Sequence, residues 1–316
     1  MDASKIFFNS MTKALMKKNN VLKFGEVVAT TENNYLGQFI PLHYHHNMLL
    51  DESRMTAFKT AIDRAVFPGA KVLDLGGGTG VLSWFAAAKA SKVWCVEFNP
   101  ELVKEAQRLL RLNPLRRKIE LVQADAFNYL PPEPVDVVIC EMLHSGMLRE
   151  KQVDVINSFK TRYLQQFGGS LPLFIPEAVI MAVQPLQQNY QFMGFHAPII
   201  QFQLPGAVYI DSKELAPPQV YGTIDFTQAE SGEFDWSGAF SLEKAGQVNG
   251  LRFITKNILN ISNEDNSVIN WHNHHMILPL AKPIQCKVGQ TLLVSFNYRA
   301  GGSLTHLQDT IHTTLV

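Results

Sequence analysis

An α/β parallel-sheet domain followed by a β-barrel or sandwich is the architecture this sequence predicts. Three observations carry it. Short apolar runs alternate with helix-spaced stretches from Lys71 to Leu164, and repeated strand–helix–strand order gives a parallel sheet covered on both faces. The first apolar run, Val72-Leu73-Asp74-Leu75, enters the turn Gly76-Gly77-Gly78-Thr79-Gly80, where glycine lets the backbone approach a ligand and a helix start offers free N–H donors. From Phe174 onward the apolar period becomes two, the period of strands. The expected division is residues 1–170, with an N-terminal helical lid, and residues 171–316.

The elements follow in order. Ile6, Phe7, Met11, Leu15 and Met16 make a helix-spaced stripe over residues 4–18, and Val21 to Thr30 reads as an extended arm. Residues 35–47 mix Tyr35, Phe39 and Tyr44 with histidines, the composition of a lid over a ligand. Asp51 to Val66 is a helix with Phe58, Ile62 and Val66 on one face. Arg54 stands in its first turn, where the helix dipole disfavours a cation. A second strand, Val93 to Glu97, ends in an acid. A third, Ile119 to Val122, ends near Asp125, and a fourth, Val135 to Cys140, ends at Glu141. Pro100 to Leu112 and Lys151 to Leu164 are helices. Later strand candidates are Ala178–Val183, Tyr221–Phe226, Ala239–Leu242, Leu251–Leu259, His275–Leu280 and Thr291–Asn297.

A glycine turn alone suits NAD, FAD or S-adenosyl-L-methionine (SAM). Asp74 just before the glycines, the G-x-G-x-G spacing of Gly76, Gly78 and Gly80, and an acid after the fourth strand favour SAM. Glu97 then stands where ribose hydroxyls are held, and Asp125 or the Ala126 amide at the adenine edge.

Glu141-Met142-Leu143-His144-Ser145-Gly146-Met147-Leu148-Arg149-Glu150 resembles the double-glutamate loop of the protein arginine methyltransferases. His45-His46-Asn47-Met48-Leu49-Leu50-Asp51-Glu52-Ser53-Arg54 is similar to that family's H-x-x-M-L-x-D-x-x-R segment, and Phe174-Ile175-Pro176-Glu177 to the strand entering its β-barrel. The resemblance implies Glu141 and Glu150 as the acceptor clamp, with an arginine-containing protein, peptide or small molecule as substrate. It implies a lid over SAM that includes Tyr35 and His45, Met48 beside the methyl group, and Arg54 on the SAM carboxylate. It also implies a homodimer made through an insertion near residues 185–218. The sequence departs from the family at three points. Asn270 stands where a barrel histidine is expected, His144-Ser145 replaces glycine-tyrosine, and Gln152 replaces a methionine. His144 then becomes a candidate local base.

Two carboxylates suit a guanidinium acceptor. Its lone pairs are delocalised and it stays protonated above pH ~12. Paired acids fix its planar fork, bias its charge and offset repulsion by the sulfonium. Two other readings stand beside this one: a small-molecule N- or O-methyltransferase, and a non-catalytic SAM-binding scaffold. Net formal charge is zero, so no nucleic-acid or membrane partner is expected. The cysteines, Cys95, Cys140 and Cys286, are far apart in apolar contexts. Without a signal-peptide pattern or a membrane-length apolar run, they predict buried thiols in a cytoplasmic protein. Strand alternation places His272 and His274 on one face and His275 on the other. No carboxylate or cysteine joins them, so no metal site is expected.

Overall fold

The computed structural model describes residues 42–316. The expected helix at 4–18, the arm at 21–30 and Tyr35 lie outside the described residues. Two helices come first, α1 (Leu42–Leu50) and α2 (Glu52–Ala65). The Asp51 carboxylate caps α2 by accepting the Arg54 N–H at 2.9 Å, which satisfies a donor that a helix start leaves unpaired. Arg54, Phe58, Ala61 and Ile62 form the buried face. Phe58 and Ile62 are fully buried, each contributing about 1.5–3 kcal/mol. That packing holds Arg54 against the parallel sheet.

The parallel sheet alternates β1 (Lys71–Leu75), α3 (Val81–Ala87), β2 (Lys92–Glu97), α4 (Pro100–Arg111), β3 (Ile119–Gln123), β4 (Val137–Cys140), α5 (Gln152–Phe167) and β5 (Leu173–Ile175). Its order is β3-β2-β1-β4-β5, all parallel. The order reverses at β1, so a crevice opens at the carboxyl ends of β1 and β4, where open α/β sheets take ligands. β5 lies beyond residue 170, so this sheet runs past the expected division. Asn99 caps α4 by accepting from the Glu101 and Leu102 N–H groups, with Pro100 in the first turn.

The remainder is antiparallel: β6 (Ala178–Gln188), β7 (Gln191–Phe192), β8 (Phe195–His196), β9 (Gln201–Gln203), β10 (Ser212–Glu214), β11 (Gln219–Asp225), β12 (Glu233–Ser241), β13 (Gly246–Ile261), β14 (Val268–His272), β15 (His275–Cys286), β16 (Thr291–Arg299), helix α6 (Leu304–Thr310) and β17 (His312–Leu315). The long strand β13 pairs with β6, β14 and β15. A second sheet orders β12-β16-β17. The sheets meet around Tyr221, whose ring touches Phe253 on one side and Phe234 and Phe296 on the other. Each strand expected from alternation is present and most are longer, while alternation does not reveal β7 to β10, β14 or β17. Among the described residues no helix is long and apolar enough to cross a membrane. The cysteines are free and buried.

Candidate active site

A cavity of about 420 Å³ occupies the crevice at the carboxyl ends of β1, β2 and β4. The glycine turn forms one wall. Gly76 has φ +76° and lies against the Met142 side chain. Gly78 has φ +54°, and a Cβ there would stand 3.0 Å from the His45 ring. Both positions need glycine for conformation, and the second also for room. His45, Met48, Arg54, Asp125 and Ala126 complete this part of the wall, and Glu97, Glu141 and Glu150 also face the cavity.

Glu97 is 9% exposed. One carboxylate oxygen accepts the Gly78 N–H at 3.0 Å and the other the Asn99 N–H at 2.8 Å. Each oxygen keeps a lone pair for a hydroxyl donor. The Asp125 carboxylate accepts the Phe127 N–H at 2.9 Å, closing the turn that carries Ala126. The α5 residues Ser158 and Arg162 both donate to the Phe127 carbonyl, so that helix fixes the same turn from behind.

Arg54 forms an ion pair with Glu141, lies against the rings of Phe58 and Trp271, and donates to the Met48 carbonyl at 3.3 Å. Its awkward place in the helix dipole is therefore offset by a strand-end carboxylate. Burial raises the Glu141 carboxyl above its ordinary range, and Arg54 works against that rise. Burial, then the neighbouring Glu141 charge, pushes Glu150 up to about 8.

Asp74, Gly80 and His144 do not line the cavity. Asp74 is 1% exposed beneath the glycine turn and accepts the Ser83 hydroxyl at 2.7 Å. The start of α3 folds back over β1 and covers it. Burial raises its carboxyl to about 7. Gly80 caps α3 at φ +82°, and a Cβ there would press on Leu110. The His144 ring turns away to Phe202, with Nδ1 donating to the Ser145 carbonyl at 3.0 Å. Asn270 is exposed on β14, whereas Trp271 is buried beside Phe58. The expected alternation of histidines fails because β14 stops at His272 and β15 starts at His275. The intervening turn brings those two rings to 6.3 Å and leaves His274 exposed.

Met142, Phe98, Phe127 and Lys151 also line the cavity, though sequence reasoning did not single them out. Phe98 directly follows Glu97 and is 70% exposed, so adjacency to a strand-end acid was the available signal. Gln152 is fully buried, and its side-chain oxygen accepts the Met142 N–H at 2.8 Å. This chain's departure at residue 152 thus ties the start of α5 to the end of β4.

The wall fits SAM by its own chemistry. Arg54 offers a cation, Glu97 offers free acceptor positions, and the acids suit a sulfonium. The volume lies in the range of small-molecule sites.

A family model described as a methyltransferase domain matches residues 72–164. An uncharacterised protein of Methanocaldococcus jannaschii is 28% identical over 266 residues, covering 84% of this chain and 95% of that protein. Protein arginine N-methyltransferase PRMT10 of Oryza sativa is 34% identical over 142 residues, 44% of this chain and 37% of that longer protein. The crystal structure of Arabidopsis thaliana protein arginine methyltransferase 10 matches with a TM-score of 0.68 at 18% identity, over 90% of this chain and 98% of that one. The Trypanosoma brucei PRMT1 enzyme–prozyme complex with AdoHcy matches with a TM-score of 0.66 at 17% identity, over 86% and 96%. The chain is a class I SAM-dependent methyltransferase, protein-arginine-methyltransferase-like in fold, with S-adenosyl-L-methionine as its cofactor.

Proposed function

We propose that the protein methylates a guanidino nitrogen of arginine, in a protein, a peptide or a free metabolite. The observation that carries this reading is that Glu141 and Glu150 line the same cavity as the glycine turn, with Arg54 paired to Glu141. An existing guanidinium already sits on one of the two acids, so the site's electrostatics accept that group. When bound, SAM supplies a methyl group whose carbon–sulfur bond breaks as the carbon–nitrogen bond forms, leaving S-adenosylhomocysteine. Glu141 and Glu150 orient the acceptor and concentrate its charge on the nitrogens they hold. The methylated nitrogen sheds one proton. Burial raises the proton affinity of Glu150, while a bound guanidinium and sulfonium favour its ionised form, so Glu150 is the carboxylate that receives this proton.

Around the cofactor, Glu97 holds ribose hydroxyls, Asp125 and Ala126 border the adenine, and Arg54, His45 and Met48 surround the methionine end. Asp74 acts from beneath by holding, through Ser83, the start of the helix that follows the glycine turn. His144 reaches the chemistry only by leaving Phe202.

A second reading, transfer to another small cation, is favoured by the exposure of Asn270, since among the described residues no barrel histidine lines the cavity. Labelled SAM incubated with free arginine, arginine-rich peptides, simple amines and lysate protein separates the two. Label on arginine nitrogen supports guanidino transfer, and label on amines alone overturns it. We further infer a homodimer, supported by the exposed apolar side chains of Met193, Phe195, Val208 and Ile210 in the insertion.

A further inference from the structure

The backbone joining Glu141 to Glu150 is not one that holds its own shape. Gly146, Met147 and Arg149 have φ of 68°, 56° and 64°. For Met147 and Arg149 this left-handed region is uncommon, and such backbone persists only where its surroundings over-determine it.

The surroundings come from the antiparallel half of the chain. The Leu143 carbonyl accepts from Asn273 Nδ2 at 3.0 Å. The Ser145 hydroxyl donates to the His274 carbonyl at 2.6 Å. The Gly146 N–H donates to Thr255 Oγ1 at 2.7 Å, and the Gly146 carbonyl accepts the Tyr298 hydroxyl at 2.9 Å. Gly301 and Gly302 close the segment through the Met147 carbonyl and the Arg149 N–H. Thr255 is fully buried, Asn273 is 6% exposed, and the Asn273 N–H donates to the Thr255 carbonyl at 3.1 Å. In so dry a setting each bond is strong and its loss leaves an unpaired group.

Glu141 is fixed by the end of β4 and by Arg54. Glu150 has no strand beneath it, so its place is set by this loop. We propose that Thr255 and Asn273 are positioning residues for methyl transfer, gripping residues 143–146 so that Glu150 stays in the cavity wall with Glu141. This rests on the reading of Glu141 and Glu150 as the acceptor clamp.

Thr255→Val keeps the side-chain shape and removes the hydroxyl, while Thr255→Ser restores it. Asn273→Ala attacks the same loop from the turn between β14 and β15. Amide hydrogen exchange over residues 143–149, SAM affinity by calorimetry, melting temperature, and kcat against acceptor KM are read together. In Thr255→Val we expect faster exchange at Gly146, SAM affinity within about twofold, and kcat lower by about tenfold or more, which is about 1.4 kcal/mol in the barrier. Ser should recover both exchange and kcat, and Asn273→Ala should follow Val. Native exchange and native kcat in both Thr255→Val and Asn273→Ala overturn the proposal. So does a kcat loss that tracks SAM affinity and melting temperature without rescue by Ser, because that is general loss of fold. Glu141→Gln separates the two levels. If it is inactive while Thr255→Val is normal, positioning alone fails; if it is fully active, the clamp reading fails and this proposal with it.

Discussion

Arg54 and Glu141 stand 87 positions apart in sequence and form an ion pair whose side chains are 8% and 13% exposed. Breaking a buried pair by removing one partner leaves a charge without compensation, at a cost of about 3–5 kcal/mol. Arg54→Gln should therefore lower the melting temperature and weaken SAM binding together. Adding Glu141→Gln should recover part of the stability but not the SAM affinity, since Arg54 would still be missing from the methionine end. Additive stability losses in the double variant would show that the pair is not coupled.

Glu141→Gln and Glu150→Gln each keep shape and remove charge. With a guanidinium acceptor, each should leave SAM affinity nearly unchanged and cut kcat by roughly 10²–10³, the scale of losing one transition-state electrostatic partner. If only Glu141 matters, the fork is not clamped and a smaller acceptor becomes the better reading. Single-turnover rates with saturating SAM are the measurement that decides.

Much of this site was legible because strand ends are legible. Apolar runs stop where an acid begins, and Glu97 and Glu141 both lie at the ligand edge of the sheet. The covering of Asp74 was not, because it depends on Ser83 folding back from α3 onto β1, a tertiary contact without a local pattern. Nor was the turn at Asn273 and His274, because period-two reasoning assumes the strand continues and β14 stops. The short strands β9 and β10 hide in a stretch interrupted by prolines, where alternation is too brief to detect. Glu150 is the opposite case: resemblance marked it, yet its place depends on bonds from Thr255, Asn273 and Tyr298 that no spacing encodes.

The buried acids give the cofactor-free protein an unusual pH dependence. Asp74 is raised to about 7 and Glu150 to about 8, in both cases first by burial. A raised carboxyl makes the native state hold protons the unfolded state has lost, so stability is present below the unfolded pKa and fades as pH climbs through the native one. His275 acts in the reverse sense, since burial lowers it to about 4. Its contribution grows with pH up to its unfolded value near 6.5. The clean window is therefore above pH ~6.5, where melting temperature should fall toward about pH 8. Glu150→Gln should flatten that fall, and a melting temperature that rises across the window would refute the assignment.

The insertion should join two copies. Met193 is fully exposed, Phe195 is 72% exposed, and Val208 and Ile210 are exposed by more than nine-tenths. Soluble monomers rarely leave large apolar patches open to water. Light scattering at micromolar concentration should give twice the chain mass, and Phe195→Asp with Ile210→Asp should give the single mass while retaining the fold by circular dichroism. A wild-type monomer would count against the homodimer.

Gln152 offers the sharpest test of how the glutamate loop is rooted. Its oxygen accepts the Met142 N–H, and its own amide nitrogen is buried without a hydrogen-bond partner. Replacing it by methionine removes both features at similar volume. Loss of the acceptor strands a backbone donor and costs about 1–3 kcal/mol, while loss of the unpaired amide gives something back. Because Met142 directly follows Glu141, the backbone cost should dominate and reach the chemistry: Gln152→Met should lower denaturant stability and reduce kcat more than SAM affinity. Gln152→Glu keeps an acceptor oxygen but adds a buried charge close in sequence to Glu150. It should therefore be nearer to wild type at low pH, where it is neutral, than at high pH. A Gln152→Met protein more stable than wild type would mean that the orphaned amide, not the Met142 bond, sets the energetics at this position.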